Sequence, residues 1–137
     1  MSIKLSAQTI DIKFQHISIE DGLSHNSVFS IIQDDHGFMW FATEDGLNKY
    51  DGYNFTIYKP DSRSPNSLSN NYINTIIEDH LGIFWIGTDG KGLNKFIPQK
   101  EKFKHYKHDP SNRNSLSNNV VKTIYEDKSG WLWIETE

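Results

Sequence analysis

The 137-residue chain has no cysteine. Disulfides and thiolate metal sites are thereby excluded within it, while its compartment stays open, because exported proteins can also lack cysteine. Long hydrophobic runs are missing too. No stretch approaches the roughly 18 to 20 apolar residues of a membrane span, and Met1 to Ala7 carries no apolar core of the kind a signal peptide needs. The expectation is a soluble segment with no export signal of its own. Positive charge is scarce in the form nucleic acid demands: 14 Lys and Arg are scattered among 18 Asp and Glu, the formal net charge is −4, and no basic stripe forms. A nucleic-acid partner is not expected. Apolar residues are only 36% of the chain, yet aromatics reach 13% and include four tryptophans, so rings at spaced positions must supply much of any core. The length allows one domain. This composition suits an all-β protein with long polar loops.

What is present is repetition, which governs the fold wherever it occurs. Ser67-Leu68-Ser69-Asn70-Asn71 returns as Ser115-Leu116-Ser117-Asn118-Asn119, and 13 of the 22 positions aligned at this spacing of 48 are identical. A more diverged copy begins at Leu23-Ser24-His25-Asn26 and runs through Ile31, Asp34, Gly37, Trp40 and Thr43, 45 residues before the second. Each full unit reads as four short strands separated by turn residues. Strand one is expected over 28–33 or 73–78, strand two over 38–43 or 83–88, strand three over 47–50 or 93–96, and strand four over 55–58 or 103–106. Apolar residues do not alternate cleanly, as Phe84-Trp85-Ile86 shows, which points to sheets covered on both faces.

The expected fold is therefore a set of β-propeller blades, four-stranded antiparallel meanders, about two and a half per chain. Residues 1–17 form an N-terminal segment with the outer strand of a preceding blade, because Phe14-Gln15-His16-Ile17 resembles Phe55-Thr56-Ile57-Tyr58. Blade 1 is placed over 18–58, blade 2 over 59–106, and the first half of blade 3 over 107–137. Propellers close with about four to eight blades. The ring must then be completed by more repeats or by oligomerisation. One route is strand exchange, in which residues 1–17 supply strands three (3–10) and four of another chain's blade 3, so that a dimer makes six blades.

The pattern Asp79-His80-Leu81-Gly82-Ile83-Phe84-Trp85-Ile86-Gly87-Thr88, followed by Gly92-Leu93-Asn94-Lys95-Phe96, resembles the two-component regulator propeller repeat. Phe14 to Ser24 resembles the start of such sensor regions, and the likeness covers the chain from about residue 12. It implies a non-catalytic, ligand-sensing, extracytoplasmic propeller whose longer relatives continue into a membrane span and a histidine kinase or other signalling output. The ligands it implies are oligosaccharides. Glu135 departs from the pattern, standing where Ala42 and Gly87 stand in the other copies.

Strand order alone sorts the loops onto two rims. The turns between strands two and three share a rim with the blade-to-blade connections, and this rim gathers Glu44, Asp45, Asp89 and Lys91 with Arg63, Arg113, Asn70, Asn71, Asn118 and Asn119. Carboxylates, amides and guanidinium groups on long loops suit a hydroxyl-rich or small polar ligand, while the same residues also serve simply as turn formers. A glycoside-active enzyme would need two carboxylates from non-equivalent positions across one bond. Asp34, Asp79 and Asp127 recur in identical turns, so they are expected to bind turn amides. Trp40, Trp85 and Trp133 share one repeat position and are expected between blades. His105 and His108 lie three apart near a strand end and should face opposite sides, which argues against a metal site. No cofactor is expected.

Overall fold

The computed structural model describes residues 11–137, and the segment expected as strand three of a preceding blade, 3–10, lies outside them. Ten strands form three antiparallel sheets. The first runs β1 (Val28–Gln33), β2 (Met39–Thr43), β3 (Gly46–Tyr50), β4 (Phe55–Tyr58); the second runs β5 (Ile73–Glu78), β6 (Phe84–Thr88), β7 (Leu93–Ile97), β8 (Lys102–Tyr106). The third is a two-stranded pair, β9 (Val121–Glu126) and β10 (Leu132–Thr136). Within each sheet neighbours in space are neighbours in sequence, the meander of a propeller blade. Residues 11–18 have no regular structure, and Phe14 is 84% exposed, so the segment read as an outer strand has no strand partner among the described residues.

Each blade is set by two kinds of turn. Between strands one and two, Asp34 Oδ1 accepts the amides of His36 and Phe38, and Asp79 Oδ1 accepts those of Leu81 and Ile83; Asp127 repeats this with Ser129 and Trp131. The second oxygen of each carboxylate takes the indole N–H of the tryptophan six residues on, at 2.7 to 2.8 Å. The repeated aspartate thus closes the hairpin and orients the ring that its strand presents to the next blade. Between strands two and three the chain reverses tightly into the start of strand three. A Cβ at Gly92 would stand 2.2 Å from the Tyr106 carbonyl oxygen, and its φ is +79°, so this position requires glycine.

A second recurrent lock joins the loop ahead of each blade to its strand three. Asn48 Oδ1 accepts the Ser24 amide at 2.9 Å and its Nδ2 donates to Ser24 Oγ at 2.8 Å; Asn94 and Ser69 repeat this at 3.0 and 2.7 Å. Both asparagines are fully buried, and the partners satisfy amides that would otherwise be orphaned in the core. In the half-blade Ser117 Oγ meets Thr136 Oγ1 at 2.7 Å, as Ser24 Oγ meets Thr43 Oγ1 at 2.9 Å in blade 1.

The core lies between sheets. Trp40 packs edge-on against Phe84 (4.7 Å) and Phe96 (5.9 Å), Phe96 stacks on Phe103 at 4.3 Å, and Tyr58 completes the cluster. Burial follows position in the stack. Trp40 is 1% exposed, Trp85 is half-buried, and Trp133 is 64% exposed. Trp40 lies between blades as expected and Trp85 is partly covered in the same way, while Trp133 is on the outer side of β10, with no sheet beyond it among the described residues. The opposite face mirrors this. Ile31 is 55% exposed, whereas its repeat equivalents Ile76 and Ile124 are 1% and 5% exposed under blades 1 and 2.

Candidate functional site: the connection rim

The loops that reverse strand two into strand three do meet the blade-to-blade connections on one rim. At the junction of blades 1 and 2, Gly46 donates its amide to the Asn71 carbonyl at 2.7 Å, and Asn71 Nδ2 reaches Asp45 Oδ1 at 3.1 Å. Lys59 Nζ lies 2.6 Å from Asp45 Oδ2. These two partners, Lys59 above all, hold the Asp45 carboxyl below its ordinary range. Glu44 is half-exposed, with its carboxylate 3.8 Å from His25 Nδ1. Arg63 turns back onto Asp61 through Nε and Nη2 at 3.0 and 3.1 Å, away from the junction.

The junction of blades 2 and 3 repeats the scheme. Gly90 and Gly92 both donate to the Asn119 carbonyl, at 3.2 and 2.7 Å, and Asn119 Oδ1 accepts the His108 amide. Asn118 Oδ1 accepts the Val120 amide at 2.9 Å, and Asn70 Nδ2 donates to the Asp89 carbonyl. Asp89 itself bridges to Val120 through the backbone. Among the described residues, the Asp89 carboxylate, the Lys91 ammonium and the Arg113 guanidinium have no hydrogen-bond or ion-pair partner, and all three residues are exposed.

The expected rim residues therefore divide into two sets. Asp45, Asn70, Asn71, Asn118 and Asn119 spend at least one polar atom on holding adjacent blades or their own turn, and Arg63 is held by its neighbour. Asp89 and Lys91, with the Glu44 carboxylate beside a single histidine, keep polar groups pointed to water. His105 and His108 are separately engaged, Nε2 of the first with the Ser67 carbonyl and Nδ1 of the second with the Leu116 carbonyl. No group of three or more metal-ligating side chains occurs among the described residues.

Two features on the opposite rim and in the interior escaped the sequence. Glu78 of blade 2 accepts the Asp35 amide of blade 1 at 3.1 Å, and Glu126 of the half-blade accepts the His80 amide of blade 2 at 2.9 Å. His80 Nδ1 also meets the Glu126 carboxylate, which holds the imidazolium above its ordinary range. Burial pushes the Glu78 carboxyl up, against the opposing pull of the Asp35 amide. The recurrence of Glu78-Asp79 as Glu126-Asp127 was the available signal. A groove of about 520 Å³ lies between blade 2 and the half-blade, lined by Trp85, Leu93, Tyr106, Leu116, Leu132 and Ile134. The matching space between blades 1 and 2 is filled by Phe96 and Phe103.

These repeats define a class: stacked propeller blades with polar connections on one rim. The profile of the two component regulator propeller matches residues 22–45, 67–90 and 115–136, about half of the chain in three copies, and the chain belongs to this family. The extracellular domain of BT3049, described as a hybrid two-component system of B. thetaiotaomicron, superimposes with a TM-score of 0.81 at 39% identity, covering 88% of this chain and 17% of that one. The extracellular domain of BT4673 from the same organism, described as a one-component system, gives 0.68 at 32% identity with the same coverage. Histidine kinase P4 of Formosa agariphila is 41% identical over 68 residues, half of this chain and 5% of that protein. The chain thus spans under a fifth of each relative's length. It is a propeller segment of a two-component regulator sensor region. No helix among the described residues is long and apolar enough to cross a membrane.

Proposed function

We propose that this segment is part of a ligand-sensing, non-catalytic propeller that acts outside the cytoplasm, and that its connection rim contributes to binding an oligosaccharide or another small polar molecule. The observation that carries this reading is the division of the rim. Bonds between blades fix the loop backbones, while Asp89 and Lys91 remain unengaged beside them and Glu44 meets only His25. A rigid backbone carrying unengaged polar groups is what a hydroxyl-rich ligand needs, since little ordering entropy is lost on binding. The extracellular placement of the two similar solved domains supports the location. The engagement of Asp34, Asp79 and Asp127 by three donors each supports a structural use of these recurrent carboxylates.

The test is a binding screen of the chain against a panel of oligosaccharides, followed by calorimetry on any hit with the Asp89→Ala/Lys91→Ala double variant. These side chains hold nothing together, so the variant keeps its fold and is expected to lose binding. Full affinity in that variant would refute the rim assignment.

A further inference from the structure

The outer edge of blade 2 carries a charge opposite to that of the rest of the chain. Residues 95–107 hold five of the 14 Lys and Arg, namely Lys95, Lys100, Lys102, Lys104 and Lys107, against the single acid Glu101. The stretch is thus +4 in a chain of −4, which leaves −8 for the remainder. The fold draws these lysines together. Lys104 of β8 stands directly across from Lys95 of β7, Lys102 shares its face about 7 Å along the strand, and Lys100 ends the short 3-10 turn between the two strands. The four line one open cavity of about 540 Å³ with Asn66 and His105. Among the described residues none of the four ammonium groups meets a carboxylate, and Glu101 lies instead beside the Tyr58 hydroxyl of blade 1.

A docked neighbour leaves this edge open. Blade 1 has the whole of blade 2 beside it, yet Asn54 and Thr56, its counterparts of Lys102 and Lys104, are exposed, and Lys49 is half-buried just as Lys95 is. The same comparison assigns the charge to blade 2 and not to the repeat, because β4 carries no lysine and no 3-10 turn precedes it. Lysines often guard a sheet edge against strand pairing, but that use does not account for these. The connection from blade 1 already caps β8: the Phe103 amide donates to the Asn66 carbonyl at 2.9 Å, and His105 Nε2 meets the Ser67 carbonyl at 2.8 Å. The edge of β4 has no such cap among the described residues and is the one without lysine.

We propose that this edge binds a linear polysaccharide that carries anionic groups along its hydroxyl-rich chain. Ammonium groups spaced along a strand match charges that repeat along a polymer, and the mobile point charge of lysine tolerates their varied orientation. The capped backbone of β8 offers an acidic peptide little to pair with as an added strand, so recognition falls to side chains. Of the two aromatic rings lining the cavity, Phe103 is buried and Tyr106 is covered by Lys104 Nζ at 5.2 Å, which leaves no free platform for the stacked bases of a nucleic acid. The exposed Asn66 amide makes no side-chain hydrogen bond among the described residues and suits hydroxyls between the charges. This surface adjoins the turn between strands three and four, on the rim opposite the connections, so it is independent of the site proposed there.

The experiment compares dextran sulfate with uncharged dextran of the same length by biolayer interferometry on the full chain at physiological ionic strength. Dextran sulfate is expected to bind and dextran is not. Lys100→Gln/Lys102→Gln/Lys104→Gln alters three exposed positions, and circular dichroism verifies its fold. Its affinity should fall about tenfold, each exposed ion contact being worth roughly two- to threefold. Lys13→Gln/Lys122→Gln/Lys128→Gln removes the same charge at exposed positions elsewhere and should bind nearly as the wild type does. No binding of dextran sulfate, unchanged affinity in the edge variant, or an equal loss in both variants would overturn the site. Displacement of dextran sulfate by inorganic phosphate at equal anion concentration would overturn the polymer in favour of a small anion. Tighter binding of polyglutamate or of oligothymidylate would overturn the saccharide in favour of an acidic peptide or a single-stranded nucleic acid.

Discussion

Replacing Asp34 by alanine removes three acceptor contacts at once: the amides of His36 and Phe38, and the indole N–H of Trp40 at 2.8 Å. The indole is the costly one. Trp40 is 1% exposed, so no water reaches the orphaned donor, and a buried donor left unsatisfied costs about 1 to 3 kcal/mol. The two turn amides are partly exposed and add roughly 0.5 to 1.5 kcal/mol each. A total loss of about 3 kcal/mol moves the urea midpoint by about 2 M for a slope of about 1.5 kcal/mol/M. Asp127 makes the same three bonds around Trp133, but that indole faces water, and solvent replaces the lost acceptor. The same substitution there should shift the midpoint far less. Tryptophan emission in urea on dilute protein reads both, and double-mutant cycles with Trp40→Phe and Trp133→Phe isolate the pair terms. Strong coupling is expected for Asp34 with Trp40 and weak coupling for Asp127 with Trp133. Equal coupling at the two sites would refute the reasoning, because it would mean that repeat position and not cover by the next blade sets the strength of the bond.

The His80–Glu126 pair makes the docking of the half-blade pH-dependent. The folded-state imidazolium is held above its ordinary range by the carboxylate beside it, so the contribution is fully present below the unfolded histidine value of about 6.5 and is lost as pH rises through the higher folded value. His80→Gln should flatten the slope of the urea midpoint as pH rises above about 6.5, and an unchanged slope would assign it to another group. Asn94→Ala strips the Ser69 amide of its acceptor in a fully buried site and should cost about 2 to 3 kcal/mol in the same assay, whereas a neutral result would discount the asparagine lock.

Much of the architecture was legible because its signals are local. An Asp-x-x-Gly turn, a glycine ahead of each strand three and a tryptophan at a constant offset all fall within one blade, and the strands match their expected spans to within a residue at each end. The sorting of Asp45, Asn71, Asp89 and Asn119 onto one rim followed from strand order. What the spacing could not convey depends on pairing across long separations. Asn48 and Ser24 lie 24 residues apart, and His80 and Glu126 lie 46 apart, so neither pair has a local signature. Nor can repetition reveal its own ends. Trp40, Trp85 and Trp133 read alike in sequence, yet their burial is decided by what stands beyond each blade. For the same reason several rim amides expected to face a ligand are used between blades, a demand that only the assembled stack creates.

The central claim is that each blade is completed by the one that follows it, and indole hydrogen exchange tests it most directly. The Nε1 protons of the four tryptophans can be followed individually by nuclear magnetic resonance in dilute protein. The account predicts that Trp40 exchanges slowest, Trp85 at an intermediate rate, and Trp131 and Trp133 fastest. Trp133 protected as well as Trp40 would contradict it.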